Sequence, residues 1–384
     1  MLSTFNKKIM ILGAGMLQLP AIIESKKLNI QTVVVDYDKN AAGVKLADKF
    51  YNISTLDYDA VLEVAKIEKI DGIITICSDR PMNIVAKVAK ELGLVAISEE
   101  TALKATNKCK MRDALAENNV PIPIYCKVSE YDEYLRAIRR VGLPCISKPS
   151  DNSGSRGVTL LEDIQQDFKA AYEYAISNSI DNQVLIEEYM VGPEVSVEVI
   201  VDKSINIIQI TDKITTGAPH FVEMGHMQPS RLDENVLSEI KKVSVKAIAA
   251  IGIDKGPAHV EIIVTDDGPK IVELGARLGG DYITTHLVPL STGYNMVKAN
   301  IEIALNIENN ENIKFNKASA IRYFSNKQIV DLDEDILKLL DKFYATFKEQ
   351  GEIKSSLDRS GFYILSSDSL SEIDEKIEYI ERKI

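Results

Sequence analysis

The stretch HVEIIVTDDGPKIVELGAR, residues 259–277, decides how the middle of this chain folds. Two apolar runs flank Asp266-Asp267-Gly268, a sequence typical of a β-hairpin turn. Taking those three residues as the loop places Glu261 opposite Glu273, on the same face of the sheet. Like charges that face each other destabilise a sheet, so the pattern predicts a cation between the two carboxylates. Hard oxygen ligands suit Mg²⁺ or Mn²⁺. The alternative is that both are solvated surface acids.

Upstream of this hairpin, strand and helix patterns alternate. The apolar runs 8–12, 32–36 and 72–76 are separated by helical stretches such as 58–68 and 83–92. Such a series predicts an α/β fold with a parallel sheet. After residue 143 short strands prevail, including 184–189 and 194–200, together with an amphipathic helix over 230–251. The C-terminal part is therefore expected to be α+β.

Two glycine-bearing loops could approach a phosphate group. Gly13-Ala14-Gly15 follows the first strand, but Gln18 stands where a dinucleotide-binding fingerprint has its third glycine. We therefore interpret it as a tight strand-to-helix turn and not as a site for NAD. The loop Lys148–Val158 joins a lysine to small residues that can surround a polyphosphate. The alternative for this second loop is an ordinary polar hairpin connection.

Composition excludes several classes of protein. The 384 residues include 45 basic and 57 acidic side chains, and the net charge of −12 gives no support for binding nucleic acid. No apolar run is long enough to span a bilayer. The four cysteines have no CxxC spacing, which favours free thiols in a reducing compartment. We expect a cytoplasmic enzyme that contacts neither nucleic acid nor membrane.

Together these features resemble the ATP-grasp superfamily, over essentially the whole chain. The resemblance rests on the Rossmann-like start, the Lys-Pro and glycine-rich loop, the acidic strand over 184–189 and the pattern Glu261…Glu273-x-x-x-Arg277. It implies a Rossmann-like domain in residues 1–100, a lid in 101–185, a larger part with the metal site in 186–312 and a C-terminal part in 313–384.

The same resemblance implies roles for individual residues, with ATP and Mg²⁺ (or Mn²⁺) as cofactors. Arg277 would stabilise the transferring phosphoryl group, and Glu261 and Glu273 would hold the metal. Lys108, Lys148 and the loop residues Ser153, Gly154, Ser155 and Gly157 would contact the phosphates. The hinge residues Glu187, Glu188 and Met190 would flank the adenine, and Glu194 would accept the ribose hydroxyls.

One position departs from the family pattern. Many members have an asparagine metal ligand where this chain has Gly275. Glu223 and His226, in the element Glu-Met-Gly-His, are the substitutes that the sequence offers, Glu223 as a metal ligand and His226 beside the reacting groups. This element and the following Glu-Leu-Gly-Ala-Arg-Leu-Gly-Gly are similar to bacterial L-amino-acid ligases of the bacilysin type.

The resemblance implies an ADP-forming ligase that makes an amide bond between a carboxylate, expected to be an amino acid, and an amine. The carboxylate would pass through an acyl phosphate. The expected partners are these small molecules and a second copy of the chain in a homodimer. The alternatives are a purine-pathway or carboxylase type of ATP-grasp enzyme, and a nucleotide-binding regulatory protein with a degenerate site.

Overall fold

The computed structural model describes residues 6–152, 154, 156–325, 333–346 and 352–383, which form three sheets. The strands are β1 (Lys8–Leu12), β2 (Gln31–Asp36), β3 (Lys49–Asn52), β4 (Gly72–Ile74), β5 (Tyr125–Val128), β6 (Cys145–Pro149), β7 (Thr159–Leu161), β8 (Val184–Glu188), β9 (Glu194–Val201), β10 (Ile205–Thr215), β11 (Glu223–Gln228), β12 (Gly256–Thr265), β13 (Gly268–Gly275), β14 (Ala318–Phe324), β15 (Lys342–Ala345) and β16 (Gly361–Ser367). The helices are α1 (Leu19–Lys27), α2 (Tyr58–Glu68), α3 (Met82–Leu92), α4 (Glu99–Thr106), α5 (Lys108–Glu117), α6 (Tyr131–Val141), α7 (Phe168–Ser177), α8 (Glu234–Ile251), α9 (Val288–Thr292), α10 (Met296–Ala304), α11 (Glu334–Leu337) and α12 (Leu370–Glu381).

The first sheet is parallel, with the strand order β3-β2-β1-β4. Its central strand β1 is buried on both faces, as its unbroken apolar run predicts. The side chain of Gln18 fills the space inside the turn that follows β1. The amide of Gln18 bonds both the backbone N–H and the carbonyl of Ile76, and a Cβ on Gly13 would lie 2.7 Å from the Gln18 side chain. The structure therefore agrees with a tight turn.

The second sheet is antiparallel, with the order β5-β8-β6-β7. Helices α6 and α7 cover it, and Tyr134 and Tyr172 pack edge to face in the core between them. The glycine-rich loop connects β6 to β7, so Lys148 lies near the end of β6 with the loop directly after it.

The third sheet has eight strands in the order β13-β12-β9-β10-β11-β14-β16-β15, all antiparallel. Helix α8 packs on it through the predicted apolar face, which includes the buried Ile240, Ala247 and Ile251. The helix begins at Glu234, later than predicted. The backbone N–H groups of Ser230 and Arg231 bond β10 instead of starting the helix.

The β12–β13 hairpin corrects one detail of the prediction. Thr265 pairs with Gly268, so the loop has two residues, Asp266 and Asp267, and not three. A register shift after Glu261, which leaves Val272 unpaired, compensates for the shorter loop. Glu261 therefore still pairs with Glu273, as predicted.

The three sheets are joined by shared cores. Helix α10 packs against β4 of the first sheet and against β9 and β12 of the third. The third sheet also continues across residue 312, since β11 pairs with β14. The four predicted domain limits stay a prediction. No helix among the described residues is both long and apolar enough to cross a lipid bilayer.

Candidate functional site

A cavity of about 970 Å³ lies between the second and third sheets. It brings together residues that are far apart in the sequence, and it contains most of the predicted binding residues. The predicted residues that line it are Lys108, Lys148, Gly154, Glu187, Glu188, Met190, Glu194, Glu223, Glu261 and Glu273. Gly157 is in the same loop but does not line the cavity, because it packs against Pro149 and Asn178. Ser153 and Ser155 lie outside the described residues.

Lys148 is held at the cavity wall by a buried ion-pair triad. Its Nζ lies 2.6 Å from Glu187, which also accepts two bonds from Arg112 at 2.7 and 3.1 Å. Burial lowers the pKa of Lys148. Burial would raise the pKa of Glu187, but the charges of Arg112 and Lys148 lower it to about 2. The carboxylate of Glu187 thus orients a lysine, and only its backbone remains for a ligand.

Arg112 did not emerge from the sequence. It lies in α5, 75 residues from Glu187, with its side chain only 1% exposed. The sequence feature that could have identified Arg112 is its position beside Met111 and Leu115, on the face of α5 that is buried. Charged groups are buried in this way only when they are paired. Arg112 also donates to the carbonyl of Val272 in β13, which links the second and third sheets at the site.

The neighbouring acid of the hinge is also engaged. Lys270 donates to both carboxylate oxygens of Glu188, and the backbone N–H of Ile124 donates to one of them. These bonds lower the pKa of Glu188 against the effect of burial. Met190, by contrast, is an apolar side chain at the cavity wall.

Each carboxylate of the predicted metal pair is balanced by its own lysine. Lys108 Nζ donates to Glu273 at 2.9 Å and to the carbonyl of Asn152 in the glycine-rich loop. Lys213 Nζ donates to Glu261 at 3.0 Å. In the structure, therefore, lysine ammonium groups offset the repulsion from which the sequence predicted a metal ion.

Lys213 is a central residue of the site that the sequence did not identify. Its side chain is 5% exposed and lies 2.6 Å from Glu194 and 3.6 Å from Glu223, besides its bond to Glu261. Burial alone would lower the pKa of Lys213, but the three carboxylates raise it well above its ordinary value. A single lysine near the end of a strand has no local pattern that marks it, so only the fold identifies this partner.

The Glu261 carboxylate also has a buried support. His259 Nε2 lies 3.3 Å from Glu261, and His259 Nδ1 lies 2.9 Å from the fully buried Glu198. Burial would lower the pKa of His259, but Glu198 and Glu261 raise it to about 9. The imidazole is therefore protonated at neutral pH, and it fixes one oxygen of Glu261.

The residues present fit a divalent cation that also takes ligands from a nucleotide. No cluster of three or more histidine, cysteine, aspartate or glutamate side chains is arranged for a metal among the described residues. Mg²⁺, however, is commonly held by one or two carboxylates together with phosphate oxygens and water. Glu261 and Glu273 face each other at the cavity, with side chains 22% and 31% exposed. Glu223, at 35%, lies beside them.

A second cavity, of about 1000 Å³, adjoins the first. The two share a wall of five residues: Gly154, Lys213, Glu223, Glu261 and Glu273. The second cavity contains the two residues predicted to act in the reaction, His226 and Arg277. It is also lined by Leu17, Cys77 and Asp79, which lie in segments that follow β1 and β4 of the first sheet. A group that passes between ligands in the two cavities would cross this acidic wall.

Arg277 and His226 are each close to an acid that the sequence did not connect with them. Arg277 bonds Asp79 at 2.8 and 3.2 Å. Burial opposes the charge of Arg277, but Asp79 raises its pKa. His226 is buried, with Nε2 3.6 Å from Asp281. Arg359, from the C-terminal part, binds both oxygens of Asp281. Burial would raise the pKa of Asp281, but His226 and Arg359 lower it.

Comparison with known proteins places this site in a family. Residues 141–286 match the ATP-grasp domain. A formate-dependent phosphoribosylglycinamide formyltransferase of Ignicoccus hospitalis is 29% identical over 279 residues, which are 70% of this chain and 68% of that protein.

Solved structures show the same fold over almost the whole chain. An L-amino acid ligase from Bacillus licheniformis superposes with a TM-score of 0.82 at 19% identity, covering 98% of each chain. A phosphoribosylglycinamide synthetase from Anaerococcus prevotii gives 0.77 at 23% identity, also covering 98% of each. These structural matches confirm the predicted fold, and residues 141–286 form the ATP-grasp domain that the sequence resembles.

Proposed function

We propose that this chain uses ATP to join the carboxylate of an amino acid to an amine, releasing ADP and phosphate. The observation that carries the proposal is the pair of adjoining cavities with a common acidic wall. One cavity has the lysines and the apolar hinge that suit a nucleotide. The other has Arg277 and polar side chains that suit a small acceptor.

In this proposal the first cavity holds ATP. Lys148 and Lys108 contact the phosphates, the backbone of the Glu187–Met190 hinge meets the adenine edge, and Glu194 accepts the ribose hydroxyls. Mg²⁺, held by Glu261 and Glu273 with Glu223 nearby, would neutralise the charge of the phosphates when it is bound. Positioning and neutralisation are what phosphoryl transfer requires of a protein.

The reaction proceeds in two displacements. A carboxylate oxygen of the amino acid attacks the γ-phosphorus, ADP leaves, and an acyl phosphate forms. The amine nitrogen then attacks the acyl carbon, the amide bond forms, and phosphate leaves with the carboxylate oxygen as the amine loses its proton. Arg277, at the second cavity, stabilises the negative oxygens in both steps.

The charges of the second cavity favour an amino acid. Five carboxylates line it, those of Asp79, Glu223, Glu261, Glu273 and Asp281. The cations among its described lining residues are Lys213, Arg277 and protonated His259, and each already has an acidic partner. An ammonium group gains from such surroundings, with Glu223 and the neighbouring His226 as its nearest polar contacts. Four of the carboxylates, those of Asp79, Glu261, Glu273 and Asp281, are themselves paired with cations, so Glu223 is the one most open to that ammonium group. A phosphorylated sugar would need cations that are already engaged with these acids.

The second candidate is a purine-pathway enzyme. The named relative, a phosphoribosylglycinamide formyltransferase, supports it at 29% identity. The pairing of the cations among the described lining residues of the second cavity opposes it, because a sugar phosphate would have to compete with their acidic partners. A carboxylase and a degenerate nucleotide sensor are further alternatives, and release of ADP only in the presence of a carboxylic acid other than bicarbonate would exclude both.

The test is a screen for ADP release over amino acids singly and in pairs, with formate plus phosphoribosylglycinamide and bicarbonate as the competing substrates. Mass spectrometry identifies the product. The expected result is ADP release that depends on amino acids, with a product lighter than its two components by one water. Activity only with the purine substrates would contradict the amino-acid proposal.

The mechanism has its own signature. A substrate labelled with ¹⁸O in its carboxylate should give labelled inorganic phosphate, because the acyl phosphate carries that oxygen until the amine attacks. Release of AMP and pyrophosphate would mean adenylation and would contradict the mechanism. Hydroxylamine added without the amine substrate should trap a hydroxamate.

A further inference from the structure

Arg277 forms an ion pair with an acid from a distant part of the chain. Asp79 lies in the segment between β4 and α3, 198 residues from Arg277 in the sequence. Its two carboxylate oxygens bond Nε and Nη2 of the guanidinium. A second contact joins the same two segments, because the thiol of Cys77 donates to the carbonyl of Gly279 at 3.2 Å. The segment that follows β4 of the first sheet thus contributes residues to the proposed reaction site.

The Asp79 carboxylate fills space that a side chain at position 275 would otherwise take. A Cβ built on Gly275 would lie 2.8 Å from Asp79 Oδ1 and 3.2 Å from Arg277 Nε. Real Cβ atoms essentially never approach another heavy atom as closely as the first distance. Gly275 is not among the residues with a positive φ, so the backbone does not demand glycine there. A larger residue at position 275 would instead have to displace the carboxylate of Asp79 from its place beside Arg277.

Glu261 is a second acid whose charge can attract Arg277. Glu261 lines the same cavity, and its charge also acts on the guanidinium. If Arg277 turned towards Glu261, it would cover one of the two carboxylates proposed for the metal. The bonds to Asp79 oppose this movement, and two bonds restrain both the position and the plane of the guanidinium.

We propose that Asp79 is a positioning residue for Arg277, and that an acid at 79 and a glycine at 275 form a matched pair. Asp79 keeps the guanidinium pointing into the second cavity and away from Glu261. The inference rests on the proposed function for the role of Arg277 in turnover. The space shared by Asp79 and Gly275 can be tested without turnover.

The kinetic test uses Asp79→Ala and Asp79→Asn with Asp113→Asn as control, since Asp113 forms an ion pair with Lys127 and lines neither cavity. Asp79→Ala should lower kcat for ADP release about 100-fold, the cost of misplacing a catalytic group by about 1 Å. The affinity for ADP, measured by calorimetry, should not change. The Mg²⁺ concentration for half-maximal rate should rise, because Arg277 then competes for Glu261.

A charge-conserving variant separates positioning from simple stability. Asp79→Glu should keep more activity than Asp79→Asn, because the guanidinium needs a charged partner. Free guanidinium should restore part of the activity of Arg277→Ala, and less of it when Asp79 is also replaced by Ala. If Asp79→Ala keeps kcat within about twofold of the wild type, the positioning role is wrong.

The matched pair is tested by a double-mutant cycle with Gly275→Asn. Alone, Gly275→Asn should lower the urea midpoint, and in the Asp79→Ala background the loss should be smaller because the carboxylate no longer blocks the new side chain. Equal losses in both backgrounds would overturn the pairing. This cycle measures stability, so it tests the pairing of Asp79 with Gly275 even if the wild-type chain releases no ADP with amino acids. A lack of ADP release would contradict the proposed function and not the pairing.

Discussion

At the scale of single residues, the site is a balance of buried charges. Lys213 contacts Glu194, Glu223 and Glu261, while Lys108 contacts Glu273. These two lysines supply positive charge to four carboxylates that would otherwise repel one another. A bound metal and polyphosphate would redistribute the contacts, with Lys108 free to turn from Glu273 to a phosphate.

Glu273→Gln tests this balance. The change keeps the size of the side chain but removes the charge proposed to hold Mg²⁺. We expect ADP release to fall about 100-fold or more while the urea midpoint stays close to that of the wild type. Asp267→Asn, in the exposed loop of the same hairpin, is the control. Near-normal turnover of Glu273→Gln at ordinary Mg²⁺ concentrations would contradict the metal assignment.

The Arg112–Glu187–Lys148 triad predicts a stability effect. Glu187→Gln leaves two buried cations without a charged partner, which should cost about 3–5 kcal/mol of unfolding free energy. The pKa of Glu187 in the folded chain is about 2, below its ordinary value of 4.5. Its contribution is therefore present above pH 4.5 and is lost as the pH falls towards 2.

Urea unfolding between pH 7 and pH 3 measures this contribution. The wild type should lose stability below pH 4.5, and the variant should lose less over the same interval because it has no carboxylate to protonate at position 187. Parallel pH profiles for the two proteins would show that Glu187 does not carry the predicted charge interaction.

At the scale of elements, the site depends on how loops and strands end. The two-residue turn of the β12–β13 hairpin would put Glu261 out of register with Glu273, and the bulge at Val272 restores the pairing. The loop after β6 is a second such element. It contains Gly154 and Gly157 with φ of 67° and 78°, and Gly154 lines both cavities. Glycine adopts such angles at low cost.

This loop should respond to nucleotide. Hydrogen exchange over residues 150–160 should slow when Mg²⁺ and ATP are added, because backbone N–H groups that contact phosphates are protected. Peptides covering β2, remote from the cavities, serve as the internal control. Unchanged exchange over 150–160 would show that the loop is not a phosphate lid.

At the scale of the whole molecule, the reaction site lies where three sheets meet. The second sheet supplies Lys148, the third supplies Glu261 and Glu273, and the segment after β4 of the first supplies Asp79. The position of β4 is fixed by Gly72. A Cβ on Gly72 would lie 2.7 Å from the carbonyl oxygen of Ala304 at the end of α10.

Gly72→Ala should therefore push β4 away from α10. We expect a loss of about 1–3 kcal/mol in unfolding free energy and a lower rate of ADP release, because β4 leads to Asp79. Gly15→Ala is the control, since a Cβ there meets no atom within 4 Å. Equal stability of the two variants would show that the contact between β4 and α10 is not tight.

The sequence by itself determined the features that depend on neighbouring residues. Apolar alternation and short apolar runs predicted the strands, and the loop after Lys148 and the opposition of Glu261 and Glu273 were also predictable. Periodicity and turn chemistry are local properties, so they can be read from the chain. The predicted length of the hairpin loop was wrong by one residue, because a β-bulge leaves no periodic pattern in the sequence.

Only the tertiary structure decided the charge partners of the site. Arg112 meets Glu187 across 75 residues, and Asp79 meets Arg277 across 198. Lys213, near the C-terminal end of β10, is recognisable as a site residue only when β9, β11 and β12 bring Glu194, Glu223 and Glu261 to it. An ion pair depends on distance in space and leaves no periodic mark in the sequence. For the same reason the sequence suggested that Gly275 is a position with a missing metal ligand. The fold shows that the carboxylate of Asp79 occupies the space that a side chain at position 275 would take.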